Sequence, residues 1–97
     1  MGMILHIVNQ SPFTHTALTQ CLRAFGPEDS LILIEDGVLL LTNPAFTPDL
    51  PPAVRLFALQ PDADARGLGI DPDIATAVGF PQFVELVTQH QKTMSWL

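Results

Sequence analysis

The sequence predicts an α/β protein: a small, doubly wound, mostly parallel sheet of four or five strands with helices on both faces. Three observations carry this. The runs Met3–Val8 and Leu31–Ile34 are continuously apolar rather than alternating, which suits strands buried on both faces of a parallel sheet. Stretches with helical spacing separate the strand-like runs. The resulting order is strand, helix, strand, short helix, strand, short helix, strand, helix, the pattern of right-handed crossovers. At 97 residues the chain has room for one domain, 1–97, and one core.

Each element has its own justification. Asn9-Gln10-Ser11-Pro12 ends the first strand. Ala17, Leu18, Cys21, Leu22 and Phe25 recur at helical spacing, and Gly26-Pro27 stops them, so a helix is expected from Pro12 or Thr14 to Phe25. Glu35-Asp36-Gly37 follows the second strand and precedes Val38–Leu41. Local rules allow either a hairpin on a Gly turn or a short helix there, and both stay open. Four prolines between Thr42 and Ala53 predict a loop, the least ordered part of the chain. Val54–Leu59 reads as a third strand. Pro61–Gly67 reads as a short helix with acids in its first turn and Gly at its end. Ile74–Val78 is a weaker fourth strand, and Phe80, Phe83, Val84 and Val87 stripe a last helix with Pro81 in its first turn. The tail Met94–Leu97 is apolar enough to add a fifth strand or to dock against a neighbour.

Only 14% of the residues are Asp, Glu, Lys or Arg, against ~25% in an ordinary soluble domain. Small domains need more polar cover than large ones, yet 47% of this chain is apolar and its mean hydropathy is +0.32. The shortage points to a subunit whose apolar surface is covered by another polypeptide. A monomer covered by Thr, Gln, Asn and Ser is the alternative. A net charge of −6, with Arg23, Arg55, Arg66 and Lys92 scattered singly, argues against direct nucleic-acid binding. No apolar run reaches the ~18 residues of a membrane span. One cysteine and no visible signal peptide make the cytoplasm the expected compartment.

Chemistry-bearing motifs are sparse. Phosphate-binding glycine loops are absent, and His6, His15, His90 and the lone Cys are too dispersed to suggest a metal site; no cofactor is expected. His6 lies mid-strand among apolar residues and reads as a satisfied core histidine. Glu35 and Asp36 sit where open α/β sheets place ligands, at the carboxyl end of a strand, although Asp-Gly there is commonly a simple turn. Cys21 is the one residue capable of covalent sulfur chemistry. It shares a helix face with Leu18, Leu22 and Phe25, away from the N-terminus that would lower its pKa, and His15 lies about 240° around the helix from it. Residue chemistry alone thus favours a packing role for Cys21 over a Cys–His enzyme.

Leu5-His6-Ile7-Val8-Asn9-Gln10-Ser11-Pro12-Phe13, Glu35-Asp36-Gly37, Ala65-Arg66-Gly67-Leu68, Phe83-Val84-Glu85-Leu86 and the terminal Ser95-Trp96 together resemble the TusB/DsrH family of sulfur-relay subunits, in matching order across essentially the whole chain. The resemblance implies a DsrE-like α/β fold and a helix after Gly37. It implies assembly with TusC/DsrF-like and TusD/DsrE-like subunits into a heterohexamer that hands persulfide sulfur to a carrier of the TusE/DsrC type. It further implies that the principal sulfur-accepting cysteine belongs to the TusD/DsrE-like subunit. DsrH-kind members carry a Cys in the first helix where Cys21 stands, which makes Cys21 a candidate persulfide carrier. The implied destination of the sulfur is 2-thiouridine at the tRNA wobble position, or intracellular sulfur oxidation if the chain is of the DsrH kind. Two readings compete with a non-catalytic relay subunit: a small enzyme or redox sensor using Cys21, and a homo-oligomeric α/β binding module.

Overall fold

The computed structural model describes residues 3–46 and 49–96. Five parallel strands form one sheet: β1 (Ile4–Val8), β2 (Ser30–Leu33), β3 (Leu56–Leu59), β4 (Thr76–Val78) and β5 (Lys92–Trp96), in the spatial order β4-β3-β2-β1-β5. Three helices connect them: α1 (Ala17–Ala24), α2 (Gln60–Ala65) and α3 (Phe80–Gln89). The steps β1→β2→β3→β4 all move the same way across the sheet, so right-handed crossovers put their connections on one face. The return from β4 to β5 crosses the whole sheet the other way and places α3 on the opposite face.

Side-chain alternation along the central strands confirms two layers. Val8, Leu31, Leu33, Leu56 and Ala58 cluster with Leu18 and Cys21 of α1, all of them buried. Leu5, Ile32 and Leu59 cluster with Leu86 of α3 and with Val78. The continuous apolar runs are thereby explained, since both faces of each central strand meet protein. The two edge strands differ: Thr76 and Ala77 of β4 and residues 92–95 of β5 are exposed.

Several boundaries depart from expectation for identifiable reasons. The first helix begins at Ala17 rather than Pro12 or Thr14, because Ser11 is consumed in a separate turn: its carbonyl accepts from the Thr14 and His15 N–H groups, and its Oγ from the Phe13 N–H. After β2 there is no hairpin. Glu35–Thr42 is a 3-10 helix, followed by a short 3-10 turn at Pro44–Phe46 in the Pro-rich loop; positions 47 and 48 of that loop lie outside the described residues. The tail forms β5, with Leu97 outside the described residues. Strands β3 and β4 start two residues late, because the Arg55 N–H bonds Pro52 and the Ile74 and Ala75 N–H groups bond Asp71.

Other local signals act as expected. The α2 helix carries Pro61 and Asp62 in its first turn, and it ends in a Schellman arrangement: Leu68 N–H to the Ala63 carbonyl, Gly67 N–H to that of Asp64. Gly67 has φ +68°, a conformation that glycine adopts at little cost.

Candidate functional site

Three places could carry chemistry: the Cys21 thiol, the His6 ring and the acids at the carboxyl end of the sheet. Helical spacing aims Cys21 at the sheet with Leu18, and the residue is fully buried. Burial pushes its thiol up from 9.0 to about 12, with the nearby Asp29 charge adding to the effect. At pH 7 about one molecule in 10⁵ would hold the nucleophilic thiolate. As folded, Cys21 is neither ionised nor reachable.

His6 projects from β1 toward the same side and is completely buried. Its Nε2 lies 2.8 Å from Asp29 Oδ2, and the Trp96 indole N–H donates to its Nδ1 at 3.0 Å. An indole nitrogen can only donate, so Nδ1 must accept and Nε2–H must point to Asp29. Phe25 and Trp96 lie on either hand, with ring centroids 5.1 and 6.1 Å away. Asp29, itself buried, also accepts the Gly26 N–H at 2.9 Å and the Ile4 N–H at 3.1 Å. Burial is the largest single influence on this carboxyl and works to raise it. Hydrogen bonds from His6, Gly26 and Ile4 outweigh burial and hold it below the usual carboxylate range. Every polar atom of His6 is engaged, as in a satisfied interior histidine. The network ties the centre of β1 to the α1–β2 loop and to the end of β5.

The sequence singled out His6 but not its partners. The signal was present in the sheet register. Leu5 faces Ser30 across the β1–β2 pair, so Asp29 sits beside the start of β1, next to a histidine that needs a partner if buried.

At the carboxyl end, Glu35 adopts φ 49°, unusual for a residue other than glycine. Its N–H donates to Asp62 Oδ2 at 2.6 Å, and its Oε1 accepts from Asn9 Nδ2 at 3.3 Å. Gly37 passes so close to the end of β1 that a Cβ there would strike the Val8 carbonyl oxygen. Arg66 donates through Nε and Nη2 to Asp36 Oδ1, at 3.1 and 2.9 Å, and through Nη1 to the Asp62 carbonyl. These contacts clamp the 3-10 helix to α2. No group of three or more His, Cys, Asp or Glu side chains able to hold a metal ion occurs among the described residues. Nor is any described helix long and apolar enough to cross a membrane.

The segments that carry the family resemblance are therefore joined in space. Asn9 reaches Glu35, Asp36 takes Arg66, and Trp96 reaches His6. A family described as DsrH like protein matches residues 10–93. Proteins called TusB from Yersinia pestis strain Pestoides F and from Yersinia pseudotuberculosis serotype O:1b are each 36% identical across an alignment 105 positions long that covers 96% of this chain and 100% of theirs. The solution structure of protein Tm0979 from Thermotoga maritima shares the fold, with a TM-score of 0.68 at 22% identity over 93% of this chain and 97% of that one. With its fold, its joined motifs and its full-length relatives in agreement, the chain belongs to the TusB/DsrH family.

Proposed function

We propose that this protein is a non-catalytic subunit of a sulfur-relay complex. In such a complex it would assemble with TusC/DsrF-like and TusD/DsrE-like chains into a heterohexamer and position a partner's cysteine. The carrying observation is the full-length likeness to proteins called TusB. The sealed state of Cys21 supports a supporting rather than a reacting role. The chemistry served is persulfide exchange: an incoming thiolate attacks the outer sulfur of a donor persulfide, a new S–S bond forms, and the donor leaves as thiolate with no net oxidation. The sulfur is bound for 2-thiouridine at the tRNA wobble position, through a carrier of the TusE/DsrC type. The domain is 1–97 and its setting cytoplasmic.

A second reading is favoured by the presence of a thiol in the first helix. There, Cys21 takes sulfur itself within a DsrH-type complex of sulfur oxidation, and α1 must first lift from the sheet to expose it.

Co-expression with TusC-type and TusD-type chains tests the proposal. A hexamer that restores wobble-uridine thiolation in cells lacking TusB supports it. A chain that stays alone beside those partners overturns it. A hexamer that fails to restore thiolation but takes up one persulfide on Cys21, detected by mass spectrometry, moves the assignment to the second reading.

A further inference from the structure

The hydrogen bonds around His6 leave its ring room for one proton. The Trp96 indole N–H donates to Nδ1 at 3.0 Å, so Nδ1 is bare, and Nε2–H faces Asp29 Oδ2 at 2.8 Å. The ring is completely buried, so solvent cannot replace either partner. A second proton can enter only at Nδ1. There it would set two N–H donors head to head, and an indole nitrogen has no lone pair to turn toward it.

One partner must then be lost, and Asp29 decides which. Its carboxylate also accepts from the Gly26 and Ile4 N–H groups, so it is fixed beside the ring and neutralises an imidazolium in place. Trp96 has no comparable anchor. Its indole N–H bonds His6, and it ends an edge strand that pairs with β1 alone and whose residues 92–95 are exposed. The other neighbours do not oppose this outcome. Leu31 of β2 and Met94 of β5 stand opposite His6 in the sheet, and Phe25 packs on its ring. Cys21 of α1, close enough to Asp29 to feel its charge, is held as the neutral thiol. Arg23 of α1, Glu28 of the α1–β2 loop and Lys92, two residues before Met94 on the same side of β5, are all exposed.

Independently of the subunit reading, we propose that His6 is a proton-operated latch on the C-terminal strand. Neutral His6 holds the Trp96 indole, and with it the end of β5, against the α1 side of the sheet. Once a proton from solvent occupies Nδ1, His6 keeps Asp29 and releases the indole. The end of β5 is then held only by its backbone pairing with β1. The core stays closed, because both members of the His6–Asp29 pair remain in place.

Trp96 is the single tryptophan of the chain, so its fluorescence reports the latch directly. The full chain is titrated from about pH 8 to about pH 5, the span in which imidazoles change charge, while nitrogen NMR follows both ring nitrogens of His6. At the alkaline end the proton should be on Nε2 and Nδ1 should be bare. As Nδ1 is protonated, Trp96 emission should shift to the red with the same midpoint. Amide exchange at the end of β5, corrected for the intrinsic effect of pH, should quicken at least about tenfold, while β2 and β3 keep their protection. Trp96→Phe removes the opposing donor. Because coupling is reciprocal, His6 in that variant should take up its proton at a higher pH than in wild type. If Trp96→Phe does not fold, the wild-type titration decides alone. Any one of four results overturns the latch: a bare Nε2 at the alkaline end, an imidazole still neutral at the acid end, an indole unmoved when Nδ1 is protonated, or loss of β2 and β3 protection together with β5. An unchanged protonation pH in folded Trp96→Phe protein overturns it as well.

Discussion

The two faces of the sheet are built from the same strands yet end in different states. On the α1 face, three successive connections cross in the same direction, and Leu18, Cys21, Val38 and Leu40 close over the central strands. On the other face a single return helix has the same width to cover, and its Phe80, Val84 and Val87 remain exposed. The difference follows from strand order rather than from composition. Three steps one way and one step back give three covers to one face and one to the other. Over the central strands the apolar side chains are thus buried on the α1 side, while on α3 three of them are turned outward.

The largest effect should come from breaking the polar network inside the sealed face. Asp29→Ala strands the His6 Nε2–H and the Gly26 and Ile4 N–H groups in the interior. It should cost about 3–5 kcal/mol in urea unfolding, as expected for a buried pair that loses one member. A loss under about 1 kcal/mol would mean that water reaches the network, and the face would not be sealed. Asp29 also sets the acid limit. Its folded carboxyl is held below the unfolded value of ~3.9, so its stabilisation is complete above that pH and is lost as pH falls through the folded value. Asp29→Asn should flatten the stability curve in that acid window.

Cys21 marks the opposite limit of the same face. Its pKa is raised, so its contribution is whole below about 9 and drains away as pH climbs toward 12, by about 1.4 kcal/mol per pH unit. Cys21→Ala should remove this alkaline slope. In the native protein at pH 7.5, iodoacetamide should label Cys21 only as fast as the chain opens, and denaturant should accelerate labelling by orders of magnitude. Rapid labelling without denaturant would show α1 to be a movable cover and would favour the sulfur-carrying reading.

Gly37 tests how tightly the sealed face is fitted at its carboxyl end. Gly37→Ala drives a methyl toward the Val8 carbonyl oxygen and should cost about 1–3 kcal/mol, the usual range for overpacking. Unchanged stability would mean that the 3-10 helix can slide on the end of β1.

This contrast between faces was only partly legible in the sequence. The buried strands were readable because their apolar runs do not alternate, and the burial of Cys21 was readable from its spacing to Leu18 and Leu22. Gly67 and Pro81 declared themselves because their roles are local. What escaped depended on distant residues. The need for glycine at position 37 is set by the Val8 carbonyl, and Glu35–Thr42 forms a 3-10 helix where local rules equally allowed a hairpin. His6 could be read as buried, but its partners stand 23 and 90 residues away. Glu35 and Asp36 were correctly placed at a carboxyl end. Their engagement by Asp62 and Arg66 needed the fold to bring α2 beside them. Strand order, which leaves α3 alone on its face, was likewise not fixed by any local pattern.

The smallest effect should be found on the open face, where α3 resembles the core in sequence but not in energetics. Val84→Ser removes an apolar side chain as Leu18→Ala does, and both positions lie on amphipathic helices packed on the same sheet. Leu18 is 2% exposed, so its truncation leaves a cavity and should cost about 2–5 kcal/mol. Val84 is 64% exposed, so water already contacts most of what would be removed, and the isolated chain should change by no more than about 0.5 kcal/mol. Parallel urea titrations of the two variants give the comparison directly. If Val84→Ser costs as much as Leu18→Ala in the isolated chain, the α3 stripe belongs to a closed core. A near-zero cost means that the apolar character of the stripe contributes nothing to the folding of the isolated chain.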